Sequence, residues 1–149
     1  MRPVSVTDTV RKVADSFRAR AVTEEKKLTL SLPPSLTLLG YASSMEKLFS
    51  LLLDNAFRYS PKGSTVAVLA EKSGHRLLLT VENPTEEEGT ENAERLFDRF
   101  ARKEESRLAN AEGHGIGLST ARAIVSAHRG RITATHKGHV FTVTVAFPL

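Results

Sequence analysis

The chain has 149 residues, of which 40% are hydrophobic, 26% charged and 6% aromatic, with a formal net charge of +4 and no cysteine. That length suits one domain able to bury roughly two thirds of its unfolded surface, and the composition is that of an ordinary globular protein. A disulfide framework, a thiolate nucleophile and a cysteine–zinc site are excluded, no apolar run approaches the ~20 residues of a membrane span, and basic residues are too sparse and too rarely interleaved with aromatics for a nucleic-acid surface.

In chain order, Val6, Val10, Val13, Ala14, Phe17 and Ala21 fall at helical spacing, which predicts one helix. Residues 28–32 alternate as a strand and stop at Pro33-Pro34, and a second extended piece follows at 36–39. Ser43-Ser44-Met45-Glu46 has the form of a capping box and predicts a helix from there to Ser60, just before Pro61. "STVAVLAEK" and "RLLLTVEN" flank Ser73-Gly74-His75 and read as a hairpin. Residues 84–92 read as a polar loop, 93–100 as a short helix, and 101–112 carry no periodicity. Leu118 to His128 reads as a helix with Gly130 as its stop. "RITATH", a turn at Lys137-Gly138 and "VFTVTVAFPL" read as a closing hairpin. Helices and hairpins without strict strand–helix alternation predict an α+β fold, a two-layer sandwich with a mixed sheet packed under about three helices.

Charge is patterned most strongly in the middle of the chain. Glu86, Glu87, Glu88, Glu91 and Glu94 precede Arg95, Arg99, Arg102, Lys103 and Arg107. Such a run is either a self-screening solvated loop or a mobile segment that brings arginines to an anion.

"GHGIGL" (113–118) alternates Gly113, Gly115 and Gly117 ahead of the helix at Leu118. The spacing G-x-G-x-G fails the dinucleotide fingerprint, and no Gly-Lys-Ser/Thr of a P-loop occurs in the chain. Outward-facing amides at a helix N-terminus still make an anion site, and a merely flexible turn is the alternative. On the helix predicted from residue 43, Met45, Leu48, Phe49, Leu52, Leu53 and Ala56 form the apolar stripe, while Leu51, Asn55, Arg58 and Tyr59 share an adjacent flank. An amide oxygen, a guanidinium and a phenol suit a magnesium-phosphate site, and an ordinary polar shoulder is the alternative. His136 and His139 are three apart on a predicted strand, point to opposite faces and make no metal pair.

Taken in order, "LLLDNAFRYSPKG", "TVENPT", "LFDRFAR" and "GHGIGLSTARAIVSAHRG" resemble the catalytic ATP-binding domain of bacterial sensor histidine kinases, within the superfamily shared with gyrase, Hsp90 and MutL. The resemblance covers nearly the whole chain and implies one ATP-binding domain over 1–149 with a Bergerat-type sandwich and a lid at about 101–115. It implies ATP and Mg2+ as ligands, with Asn55 as the magnesium-binding asparagine. Arg58 stands where that family has a cation reaching the phosphates, and Tyr59 where an aromatic lies near the nucleotide. Phe97 and Phe100 match the paired phenylalanines of its F box, and Arg102 and Arg107 match arginines that approach the γ-phosphate. Gly113, His114, Gly115, Ile116, Gly117 and Leu118 form the turn facing the triphosphate, and Gly138 loosely matches a final glycine element.

Two positions depart from the family pattern. Asn83-Pro84-Thr85 stands where many members have Asp-x-Gly-x-Gly, so Asn83 would accept from the adenine amino group as a neutral and weaker acceptor. Leu51 replaces a polar residue one turn before Asn55, a change that magnesium tolerates because it keeps waters and phosphate ligands. None of the five histidines has a phosphoacceptor context. The resemblance therefore implies transfer of the γ-phosphoryl group to a histidine on a separate helical dimerisation domain of the same full-length kinase. It further implies an indirect response-regulator partner, no nucleic-acid or direct membrane contact, and a place in the cytoplasmic portion of a membrane-bound sensor. A degenerate nucleotide-binding or partner-docking module is the alternative, and an anti-sigma-type serine kinase a third.

Overall fold

A computed structural model describes residues 1–91 and 117–149. The chain opens with strand β1 (Arg2–Ser5), helices α1 (Val6–Ser16) and α2 (Arg18–Thr23), and strands β2 (Lys27–Ser31) and β3 (Thr37–Gly40). Helix α3 (Ala42–Tyr59) and strands β4 (Thr65–Ser73) and β5 (Arg76–Glu91) follow. After the undescribed interval come helix α4 (Gly117–Ala127) and strand β6 (Arg131–Pro148). β2, β4, β5 and β6 form one mixed sheet in that order, with β2 parallel to β4 and the other pairs antiparallel. β1 and β3 make a separate antiparallel ribbon. Among the described residues no helix is long and apolar enough to cross a membrane.

The sheet is covered on one face. Alternate residues Val66, Val68 and Ala70 of β4, Leu77, Leu79 and Val81 of β5, and Phe141, Val143, Val145 and Phe147 of β6 are buried. Against them lie Val10 and Val13 of α1, the α3 stripe Met45, Leu48, Phe49, Leu52 and Leu53, and Ala121 and Val125 of α4. Each fully buried Leu, Phe or Met contributes about 1.5–3 kcal/mol, so α3 is the most strongly anchored helix of the layer.

The α+β sandwich holds, and five local expectations do not. The single helix over 6–21 is broken at Phe17 (φ −96°, ψ −5°), whose N–H turns back to Ala14 O, giving α1 and α2. Phe17 stacks on Phe57 of α3, with ring centroids 5.6 Å apart. α3 begins at Ala42 rather than through the Ser43 capping box. Its N-cap is Tyr41, which makes no side-chain cap bond. The Tyr41 N–H instead donates to Nε2 of His128 at 3.1 Å.

The polar run 84–91 is strand, not loop. After a register shift that leaves 85–88 bulged, Gly89, Thr90 and Glu91 pair with Gly138, Lys137 and His136. Buried His136 pins the bulge, with Nε2 2.9 Å from Thr85 Oγ1 and 3.1 Å from Glu87 O, while the Thr85 hydroxyl donates to Glu87 O at 2.7 Å. Consequently β6 is one continuous strand rather than a hairpin. The positive φ of Gly138 (+56°) is absorbed within it, opposite Gly89. The stop after α4 also works differently from the expectation: Arg129, not Gly130, is the left-handed residue (φ +58°). Gly130 is required by proximity, since a Cβ there would lie 2.7 Å from Ala146 O and 2.8 Å from Phe147 Cδ1.

Candidate functional site

The last two turns of α3 carry the polar residues that the sequence singled out. Ser60 leaves the helix with ψ 140°, as a residue before proline must. Asn55 is 2% exposed, and its Oδ1 is, among the described residues, the buried side-chain oxygen or nitrogen without a hydrogen-bond partner. An orphaned amide oxygen at that depth requires an explanation. It is a hard neutral acceptor of the kind magnesium takes, so this residue fits the metal that the resemblance implied.

Arg58 lies three residues on. Its Nη2 donates to Asp54 Oδ2 at 2.9 Å, and the other carboxylate oxygen accepts from Arg20 Nη1 at 2.7 Å. Arg20 also donates through Nε to Glu24 Oε2 at 2.5 Å, and its guanidinium lies over the rings of Phe17 (5.8 Å) and Phe57 (5.6 Å). Lys26 bridges Glu24 and the carbonyl of Phe57. Burial works against the charged forms here, yet the hydrogen bonds prevail: Glu24, bonded by Arg20 and Lys26, lies below the ordinary carboxylate range. Arg20, bonded to Asp54 and Glu24, is raised in the same way. Tyr59 is half-buried. Leu51, one turn before Asn55, packs against the core and brings no polar atom.

α4 packs against α3. Its last turn meets the start of α3 through His128, which accepts from the Tyr41 N–H and bonds through Nδ1 to Ile124 O at 2.8 Å. Gly117 and Leu118 are buried, and the Leu118 side chain belongs to the core.

Asn83 is buried on the core-facing side of β5, in line with Leu77, Leu79 and Val81. Its Nδ2 donates to Pro84 O at 2.8 Å. A groove of about 500 Å3 between β1 and the start of α3, lined by Arg2, Val4, Gly40 and Tyr41 among others, is elsewhere. Tyr41 and Asn55 are about 21 Å apart along the helix, and the groove gathers no set of titratable groups. No group of three His, Cys, Asp or Glu able to hold a metal occurs among the described residues. Phe97, Phe100, Arg102, Arg107, Gly113, His114, Gly115 and Ile116, with the expected lid and the helix over 93–100, lie outside the described residues.

Asp54 and Arg20 were not singled out from sequence. Asp54 had a local signal, an acid four residues before Arg58 on a helix. Arg20 had none, being 34 residues from its partner.

A family model described as histidine kinase-, DNA gyrase B-, and HSP90-like ATPase matches residues 40–149. The signal transduction histidine-protein kinase BaeS of Escherichia coli K12 is 34% identical over 149 residues, covering 99% of this chain and 32% of BaeS. The sensor histidine kinase CusS of Escherichia coli O6:H1 is 38% identical over 133 residues, covering 89% of this chain and 27% of CusS. The chain thus spans about a third or less of the length of these relatives. The catalytic domain of the histidine kinase ThkA superposes with a TM-score of 0.80 at 16% identity, over 98% of this chain and 93% of that one, which shows a common fold.

Proposed function

The chain belongs to the histidine kinase-, DNA gyrase B- and HSP90-like ATPase family, and on that premise we propose that it is the ATP-binding catalytic domain of a sensor histidine kinase. It binds Mg-ATP and passes the γ-phosphoryl group to a histidine on a separate helical dimerisation domain of the same full-length kinase, with a response regulator downstream. Its place is the cytoplasmic portion of a membrane-bound sensor. The observation that carries this reading is the buried, unpartnered Oδ1 of Asn55 on the turn that also presents Arg58.

In the transfer, the bond from the γ-phosphorus to the β–γ bridging oxygen breaks, a bond from a histidine nitrogen forms, and ADP departs. Magnesium, when bound, neutralises charge on the phosphate oxygens. The chain's own work is positioning and charge stabilisation. Asn55 supplies the amide oxygen for the metal, and Arg58 spreads charge at the phosphates, with Arg102 and Arg107 assigned the same role. The turn from Gly113 through Leu118, with the positive end of α4, meets the triphosphate. Tyr59 and Phe100 flank the nucleotide, and Asn83 accepts from the adenine amino group.

A second reading, a nucleotide-binding or partner-docking module without transfer, draws support from Leu51 on the core and from the Asn83 amide turned to its own neighbour's carbonyl. The domain, the dimeric helical hairpin of its own full-length kinase, magnesium and γ-labelled ATP separate the two. Acid-labile label on the hairpin is expected. Nucleotide binding in titration with no label on the hairpin would sink the kinase reading and leave the module.

A further inference from the structure

We infer that Arg20 of α2, acting through Asp54, is a positioning residue for Arg58, so that α2 braces the phosphate end of the site from behind. The inference rests on the reading of Arg58 as a phosphate ligand.

Asp54 uses each carboxylate oxygen on a different guanidinium, Oδ1 on Arg20 and Oδ2 on Arg58. The three side chains are one-quarter to one-third exposed, neither surface pairs nor a sealed core cluster. An acid–base pair four apart on a helix, standing alone, is weakly held and releases its arginine to solvent. Here the carboxylate cannot swing with Arg58, because Arg20 holds its other oxygen. Arg20 is itself fixed by Glu24 and by the faces of Phe17 and Phe57. Two further contacts dock the same segment on the same turn: the Phe17–Phe57 stack and Lys26 on the Phe57 carbonyl. Asp54 and Phe57 bracket Asn55 and precede Arg58, so each tie from residues 17–26 meets α3 at the turn that would face phosphate.

The charges agree with this role. A lone carboxylate beside Arg58 would offset the field that Arg58 offers an anion. Arg20 restores the balance, leaving the triad with a net charge of +1.

The test measures ATP and adenosine affinity, with magnesium, by competition against a fluorescent nucleotide. Wild type should prefer ATP and Arg58→Ala should lose much of that preference. If either fails, the reading of Arg58 fails before the inference is reached. Given both, Arg20→Met, which keeps an apolar stem on Phe17 and Phe57, should weaken ATP roughly 3- to 10-fold, the worth of one lost hydrogen bond, and leave adenosine unchanged. Arg20→Lys should recover part of the loss, and Arg20→Met should add nothing in the Arg58→Ala background. Equal weakening of ATP and adenosine, or full additivity with Arg58→Ala, overturns the inference. Should Arg20→Met unfold, Asp54→Asn, with the same shape but one acceptor oxygen for two guanidinium groups, gives the same reading.

Discussion

A buried amide oxygen with no partner costs about 1–3 kcal/mol, and Asn55 carries one at 2% exposure. Replacing it by leucine, which has the same branched shape and no oxygen, should leave the urea midpoint at or above that of wild type. The same substitution should remove the tightening of ATP that magnesium brings. A clear fall in stability would show that the amide supports the fold, and magnesium-dependent binding that survives would show that the oxygen does not hold the metal. Glu24 gives a second prediction at this scale. Burial raises its pKa, but the bonds from Arg20 and Lys26 outweigh burial and hold it below the ordinary glutamate value of about 4.3. A depressed carboxyl contributes stability that is complete above the unfolded value and is lost as pH falls through the folded one. In Arg20→Met the Glu24 carboxyl should therefore titrate at higher pH by NMR, moving toward the unfolded value. An unmoved titration would mean that Arg20 does not stabilise the carboxylate.

Among the elements, α4 makes the sharpest claim. Its exit depends on Gly130, where a Cβ would press on the backbone carbonyl of Ala146 and on Phe147, neither of which can withdraw without disturbing β6. Gly130→Ala should destabilise the domain by about 1–3 kcal/mol in urea melts, although alanine favours the helix intrinsically. A neutral result would mean that the α4–β6 junction relaxes freely. The same junction illustrates what could be read in advance. The apolar stripe of α3, the β4–β5 hairpin and the body of α4 are local patterns, written within one turn or one alternation of the chain. Strand β5 beyond Asn83 is not, because Thr85 and the run 86–88 give no alternation and are held by His136, about fifty residues away. Phe17 likewise sits at a helical position, and nothing near it in sequence points to its stack on Phe57. Asn55, Arg58 and Tyr59 were legible because helical geometry alone brings them together. The ties from α2 were not, since nothing near Arg20 in sequence points to Asp54.

For the whole molecule, the one-sided sheet and the α3–α4 pair account for where a site can form. β2 and β4 are parallel, so the chain between them must cross the sheet, and α3 belongs to that crossing. The crossing lays α3 over the sheet face, and His128 fastens the end of α4 to the start of α3. Family membership agrees with this arrangement over residues 40–149. The segment before residue 40 supplies β1, α1, α2 and β2, including the Arg20 brace on the α3 turn.

The unpartnered oxygen of Asn55 also bears on descent. Selection for stability alone would favour an apolar residue in that place, because the amide oxygen detracts from the fold and gives it nothing back. A lineage released from binding nucleotide would thus be expected to drift first at this position, ahead of the core leucines one turn away.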